Sequence, residues 1–307
     1  MDFIMKKDLL KLLDLAGEDI LMILDTADSL KAEWKAGKKH DFPSGKTLAM
    51  IFAKNSTRTR VSFETGIFQL GGQGIFLSNA DSQLGRGEPI KDTARVLSRY
   101  CDCIMIRTFE QDEVEELAKY SSIPVINGLT DFAHPCQVLA DIMTIREHKG
   151  RLNGLKACFI GDGNNVANSM IVGCLKCGMD VSIACPEGYR PDKRVLDFAA
   201  DAGGARFEMT DKPAAAAAGA DVIFTDVWAS MGQEGEAEKR QKAFKGYQVD
   251  DAIMALANPG CMIQHCLPAH KGEEITESVF EAHAQEIFDE AENRLHAQKA
   301  VMYLLMK

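Results

Sequence analysis

The chain has 307 residues, 46% hydrophobic and 26% charged, which fits a globular protein long enough for two domains. Its formal net charge of −10 argues against nucleic acid or an anionic membrane as the main partner, because both require a basic surface. There is no apolar run long enough for a transmembrane helix and no signal-peptide core, and the nine scattered cysteines indicate reduced thiols. We therefore expect a cytoplasmic protein.

Strands and helices alternate through the first half of the chain. Leucine and isoleucine at three-to-four spacing predict a helix over residues 8–36. Apolar runs then predict strands at 47–52, 74–77, 103–106 and 123–126, with helices at 58–70, 88–100, 111–120 and 136–148. Such alternation is typical of right-handed βαβ units around a parallel sheet.

A second α/β series follows a polar, glycine-containing stretch at 148–154. Its predicted strands are 157–160, 181–184, 206–209, 222–225 and 262–264, and its predicted helices lie near 165–177, 191–202, 212–218 and 249–256. A last helix is predicted over about 291–306. The fold class is therefore α/β, with one parallel-sheet domain over 1–149 and another over 150–290.

The segment Ser56-Thr57-Arg58-Thr59-Arg60 stands where a buried strand ends and a helix begins. The first N–H groups of a helix lack intrahelical partners, and the positive end of the helix dipole lies there. The hydroxyl and guanidinium groups add further donors, which suits a phosphate dianion. A simple helix cap with solvated arginines would need only one of these residues, so anion binding is favoured.

Gly161-Asp-Gly163-Asn-Asn165 also opens a helix after a strand and is open to a dinucleotide-binding interpretation. The match is incomplete, because Val166 stands at the third glycine position. The two asparagines are better suited to hold a zwitterionic small molecule, since an amide both donates and accepts hydrogen bonds.

Other polar groups follow predicted strands or begin predicted helices. His134 and Gln137, three residues apart at a helix start, can face the same crevice, although a capped helix would explain them too. Asp226 follows a strand and could hold an ammonium group, and the loop after it carries Ser230 and Met231. Cys266 follows another strand and could be a buried thiol, a polar anchor or a proton acceptor.

Three more candidates come from less specific surroundings. Gln83 lies in a glycine-rich loop, Arg107 directly follows a strand, and Arg294 begins the final helix, where a solvated arginine is the default. Because ligands of open α/β sheets bind beyond the carboxyl ends of the strands, we expect these groups to meet in a crevice between the two domains.

Three motifs in order, Ser-Thr-Arg-Thr-Arg at 56–60, His-Pro-Cys-Gln at 134–137 and His-Cys-Leu-Pro at 265–268, resemble the transcarbamylases. Together with the last motif, Asp-Val-Trp-Ala-Ser-Met-Gly at 226–232 is similar to the branch of that family that uses ornithine. The resemblance covers essentially the whole chain. It implies two α/β domains with the active site between them and a C-terminal helix, 291–307, that returns to the first domain.

The resemblance also implies carbamoyl transfer from carbamoyl phosphate to the δ-amine of L-ornithine, without a metal or an organic cofactor. It implies a homotrimer, or an assembly of trimers, with a shared active site. In the order of the chain, the implied carbamoyl-phosphate residues are Ser56, Thr57, Arg58, Thr59, Gln83 from a neighbouring subunit, Arg107, His134, Gln137, Cys266, Leu267 and Arg294. The implied ornithine residues are Asn165, Asp226, Ser230 and Met231.

The implied chemistry needs a neutral amine, whereas an amine like that of lysine has an unperturbed pKa of about 10.4. We hypothesise that Asp226 and Cys266 together accept its proton, with substrate phosphate as a competing acceptor. Arg107, His134 and Thr59 could donate to the developing oxyanion. The alternatives are a transcarbamylase for another amine, a non-catalytic homologue, and a nucleotide-dependent oxidoreductase built on Gly161 and Gly163.

Overall fold

The computed structural model describes residues 7–79, 87–229 and 234–307. Within those ranges, no helix combines the length and the apolar character needed to cross a membrane. The helices are α1 (Gly17–Lys35), α2 (Thr57–Gln69), α3 (Ile90–Tyr100), α4 (Gln111–Tyr120), α5 (Pro135–Lys149), α6 (Asn165–Lys176), α7 (Lys193–Asp201), α8 (Pro213–Ala217), α9 (Ala237–Ala243), α10 (Asp251–Met254), α11 (Glu277–Ala282) and α12 (Ala284–Met306). The strands are β1 (Thr47–Phe52), β2 (Gln73–Ser78), β3 (Cys103–Arg107), β4 (Val125–Leu129), β5 (Lys156–Ile160), β6 (Asp180–Ala184), β7 (Phe207–Thr210), β8 (Val222–Phe224) and β9 (Met262–Gln264).

Contacts divide the chain into two compact units, Met1–Ala140 with Arg294–Lys307, and Asp141–Asn293. The first unit holds a parallel sheet of order β2-β1-β3-β4, and the second a parallel sheet of order β7-β6-β5-β8-β9. The predicted α/β class with two parallel sheets is therefore confirmed. The division falls inside α5 and α12, whereas the sequence predicted boundaries after residues 149 and 290.

Each sheet reverses its strand order at one point, and a ligand crevice is expected there, outside the carboxyl ends of the strands. In the first unit the reversal lies between β1 and β3, and in the second between β5 and β8. The segment 56–60 and Arg107 follow the first pair of strands, whereas 161–165 and Asp226 follow the second pair. The topology thus brings the polar segments of each unit to one end of its sheet.

The packing of α2 against α12 depends on a glycine. Gly66 is buried, and a Cβ atom added there would lie 2.8 Å from Cε of Met302 and 3.8 Å from Cβ of Lys299. The missing side chain lets the two helices approach closely in the first unit. Side chains of α12 can therefore reach the first turns of α2.

The predicted helix over 8–36 is wrong in its first part. Leu9 is extended and pairs with the edge strand β4, through Leu9 N–H to Val125 O (2.9 Å) and Asn127 N–H to Leu9 O (2.8 Å). Helix α1 begins only at Gly17, after a short 3₁₀ turn. This pairing satisfies backbone N–H and C=O groups at an open sheet edge. The spacing of leucines along the sequence does not indicate such a pairing.

The final helix begins at Ala284, earlier than the predicted 291. Its first turns lie along β9, an edge strand, where the carboxylates of Glu286 and Glu290 accept from the N–H groups of Ile263 (2.9 Å) and His265 (2.8 Å). Two carboxylates one helical turn apart thereby accept hydrogen bonds from two N–H groups that are two residues apart, one on β9 and one directly after it. The short helices α9 and α11 were not predicted, because their apolar periodicity is too brief to detect.

We expect Gly66→Leu to force α2 away from α12 and to lower the free energy of unfolding by about 1–3 kcal/mol through overpacking. Urea denaturation checks this. Gly203→Leu is the matched control, because a Cβ there meets nothing within 4 Å and the backbone is not left-handed. Equal stability of the two variants would contradict the close approach at Gly66.

Candidate active site

Two buried arginines converge on the first turn of α2. Ser56 caps this helix by accepting from the N–H of Thr59 (3.2 Å). The Thr59 hydroxyl, 1% exposed, in turn accepts from Nη1 of Arg107 (3.3 Å) and Nη2 of Arg294 (3.4 Å). Arg58 lies exposed in the same turn. A helix N-terminus and several guanidinium groups therefore share one small volume, an arrangement whose donors suit an anion such as phosphate.

The start of α5 adds an amide and an imidazole to this group. Arg294 Nη1 donates to Oε1 of Gln137 (2.5 Å). Burial lowers the pKa of His134 well below its ordinary value, and Arg294, Arg107 and Arg58 lower it further. A neutral imidazole adds no positive charge and can donate one hydrogen bond. The first unit thus brings together six of the residues predicted to bind carbamoyl phosphate: Arg58, Thr59, Arg107, His134, Gln137 and Arg294.

In the second unit, Asp226 is held by three donors. Its Oδ2 accepts from Nδ2 of Asn164 (2.8 Å), and its Oδ1 accepts from the Val227 N–H (2.8 Å) and from Sγ of Cys266 (3.2 Å). Asn164 also caps α6, since its Oδ1 accepts from the N–H groups of Val166 and Ala167. One side chain therefore fixes both a helix start and the carboxylate.

Cys266 is held as a thiol. Burial raises its pKa well above the ordinary value, and the carboxylates of Asp226, Glu290 and Asp141 raise it further. A thiol donates its proton to Asp226 and is a poor base near neutral pH. The geometry favours Asp226 over Cys266 as the proton acceptor, while their joint role stays a prediction.

A buried histidine shapes the turn that carries Cys266. Nδ1 of His265 accepts from the Leu267 N–H (3.0 Å), and its Nε2 lies 3.0 Å from Oε1 of Glu274. We assign the proton to Nε2, since Nδ1 is an acceptor. Leu267, at φ 57°, keeps its left-handed conformation with this support, and its N–H is already used inside the turn.

Ligand atoms of Asp226, His265 and Cys266 lie within 4.8 Å of one another, close enough to hold a metal ion. A bound ion would have to displace the Leu267 N–H or Glu274 from the imidazole and remove the proton from a thiol of raised pKa. The donor set therefore fits hydrogen bonding within the protein better than metal ligation.

The turn at Gly163 is built for packing within the protein. A Cβ atom at Gly163 would lie 2.3 Å from N of Pro191, and the Gly163 N–H donates to Tyr189 O (2.9 Å). The Gly161 N–H donates to Ala184 O (3.0 Å). These N–H groups would have to bind the pyrophosphate of a dinucleotide, so the oxidoreductase alternative loses its support.

Three predicted site residues, Gln83, Ser230 and Met231, lie outside the described residues. Asn165 begins α6, next to the asparagine that bonds Asp226. His265 is a functional candidate to which the sequence alone gave no role. Asn164 was predicted, together with Asn165, to hold a zwitterionic small molecule, and the structure adds its hydrogen bond to Asp226. An asparagine at a helix N-cap was a usable signal for Asn164. The partner of His265, Glu274, lies nine residues on and could not be identified from spacing.

Known proteins resemble this chain over its whole length. Two family profiles match, described as "Aspartate/ornithine carbamoyltransferase, carbamoyl-P binding domain" over 7–147 and "Aspartate/ornithine carbamoyltransferase, Asp/Orn binding domain" over 153–305. A Pelobacter propionicus protein named ornithine carbamoyltransferase is 56% identical over 302 residues, 98% of this chain and 99% of that protein.

Two solved structures are similar as well. Ornithine carbamoyltransferase from Pyrococcus furiosus has a TM-score of 0.92 at 54% identity, covering 97% of this chain and 96% of that one. Anabolic ornithine carbamoyltransferase from Campylobacter jejuni also has a TM-score of 0.92, at 43% identity, covering 97% of this chain and 98% of that one.

We expect Asp226→Asn to lower the pKa of the Cys266 thiol, because the carboxylate is one of the causes that raise it. The variant should therefore be alkylated several-fold faster at Cys266 by iodoacetamide at pH 8. Peptide mass spectrometry resolves Cys266 from the other cysteines. Asp289→Asn, which removes a carboxylate that pairs with His148, is the control, and equal rates in both variants would contradict the assignment.

Proposed function

The chain belongs to the aspartate/ornithine carbamoyltransferase family, and on that premise we propose that it transfers the carbamoyl group of carbamoyl phosphate to the δ-amine of L-ornithine. The products are L-citrulline and phosphate. The observation that supports this best is the convergence of Arg107 and Arg294 on the Thr59 hydroxyl at the start of α2. This group suits a phosphate dianion attached to a small polar carbonyl.

The donor substrate comes first in the proposed mechanism. Its phosphate binds at the N-terminus of α2, where the N–H groups and hydroxyls of 56–59 and the Arg58 guanidinium surround it. Its carbonyl oxygen accepts from Arg107, His134 and Thr59. These donors are fixed before the reaction, so they stabilise the oxyanion without reorganising at the moment of attack.

The acceptor half uses Asp226 and Cys266, with Asn165, Ser230 and Met231 assigned to the ornithine α-amino and α-carboxylate groups. The δ-nitrogen attacks the carbonyl carbon and a C–N bond forms. The bond from that carbon to the bridging phosphate oxygen breaks, and phosphate leaves with its electron pair. The nitrogen loses a proton to Asp226, whose carboxylate is held by Asn164 and by the Cys266 thiol.

We further propose a homotrimer, or an assembly of trimers, in which Gln83 enters the site of a neighbouring subunit. Large apolar side chains on consecutive elements of the first unit support an interface there. They are Val61 (53% exposed) and Phe68 (74%) on α2, Ile75 (40%) on the edge strand β2, and Val96 (45%) and Tyr100 (77%) on α3. Exposed apolar surface of this kind marks protein–protein contacts.

A cytoplasmic location and a biosynthetic direction complete the proposal. All nine cysteines are free, which suits a reducing compartment. The Campylobacter jejuni protein is named anabolic, and we extend that direction to this chain by similarity.

The reaction is tested by following citrulline formation from carbamoyl phosphate and L-ornithine, with L-aspartate and putrescine as parallel acceptors. We expect turnover with ornithine alone. Turnover with another acceptor would overturn the substrate assignment and leave the phosphate site intact. A folded protein without turnover would instead be a non-catalytic homologue.

The shared site is tested by mixing two inactive variants, Gln83→Ala and Arg107→Ala, after unfolding and refolding them together. If Gln83 enters a neighbour's site, about a quarter of the sites in randomly mixed trimers carry neither defect, and activity returns in that proportion. Each variant refolded alone is the control. Failure of the mixture to regain activity, with mixed trimers demonstrated by mass spectrometry, would place Gln83 in its own subunit's site.

A further inference from the structure

A buried glutamine lies beside Arg294, outside every motif discussed above. Gln298 follows Arg294 by about one turn of α12 and is fully buried. Its amide faces Ser62 on α2, at 2.6 Å from the hydroxyl oxygen. The same hydroxyl oxygen lies 2.6 Å from the carbonyl oxygen of Arg58. Gln298 therefore stands between the guanidinium of Arg294 and the first turns of α2.

The hydrogen-bond inventory settles the orientation of this amide. The Ser62 hydroxyl has one proton and uses it on the Arg58 carbonyl, so it accepts from Nε2 of Gln298. Oε1 of Gln298 then faces Arg294 and accepts from its Nη2 (2.9 Å) and Nε (3.1 Å). The opposite orientation would set the amide NH₂ against guanidinium donors, so we assign the first one.

We propose that Gln298 is a positioning residue for the carbamoyl-phosphate site, which fixes the plane of the Arg294 guanidinium and ties it through Ser62 to the α2 turn. This proposal rests on the proposed function. Two acceptor bonds from one oxygen to adjacent guanidinium nitrogens restrain both rotation and tilt of the planar group. The remaining edge of that group is directed to Gln137 and Thr59.

The neutrality of Gln298 matters as much as its geometry. The acceptors that reach Arg294 from Gln137, Thr59 and Gln298 are amide and hydroxyl oxygens. A carboxylate at position 298 would hold the guanidinium equally well but would compensate its charge. Substrate phosphate, itself an anion, would then lose part of its attraction to the site.

The test compares Gln298→Met and Gln298→Glu with the wild-type enzyme. We expect Gln298→Met to raise KM for carbamoyl phosphate and the inhibition constant of inorganic phosphate about tenfold or more, as loss of hydrogen bonds to a charged group implies. KM for L-ornithine should change less than about twofold, since ornithine makes no proposed contact with Arg294. Gln298→Glu should weaken phosphate binding at least as much, despite retaining an acceptor.

Lys299→Met is the matched control. Lys299 Nζ donates to Oε1 of Gln69 (2.9 Å), so this substitution removes the neighbouring polar contact between α12 and α2. It should leave KM for carbamoyl phosphate and phosphate inhibition unchanged. If Gln298→Met loses only thermal stability, or if Gln298→Met and Lys299→Met weaken phosphate binding equally, the positioning role is overturned. A wild-type protein that makes no citrulline would refute the proposed function, whereas phosphate affinity measured by calorimetry would still decide the role of Gln298.

Discussion

The first unit has to hold positive charges close together in a protein that is acidic overall. Arg107 and Arg294 both reach the Thr59 hydroxyl, and Arg58 lies in the same turn. Neutral oxygen atoms take part in holding them, and the neighbouring imidazole is kept uncharged by burial and by the same arginines. These neutral partners do not offset the positive charge of the arginines. Specific placement of charge, rather than net charge, determines what this end of the sheet can bind.

The second unit instead fixes the orientation of one carboxylate at the end of its sheet. Asp226 accepts from an amide, a backbone N–H and a thiol, which keep it oriented. The same carboxylate raises the pKa of Cys266, so thiol and carboxylate act as donor and acceptor in one pair. Because the two side chains share a hydrogen bond, single substitutions here do not report independent contributions.

The positions of the strands along the chain could largely be predicted from the sequence, because buried parallel strands are short apolar runs between helices. Strand β1 was predicted with its observed bounds. The segment 56–60 and Asp226 follow strands at the reversal points of the two sheets, whereas 134–137 and 265–268 follow the edge strands β4 and β9. Leu9 was assigned to a helix because its partner, β4, lies more than 100 residues away along the chain. Gln298 could not be identified from the sequence for the same reason, since its proposed role depends on a contact with Ser62 and on the orientation of its amide. Contacts of long sequence separation leave no local periodicity to read.

The first and last segments of the chain each cover a sheet edge. Leu9 pairs with β4, and Glu286 and Glu290 accept the outward N–H groups of β9. During synthesis the edge of β9 emerges before the helix that covers it, so the nascent second unit is open to strand addition until residue 290 is available. A chain that stops short of α12 would therefore lose protection against self-association as well as Arg294. Addition of α12 to the edge of β9 therefore protects this fold against aggregation.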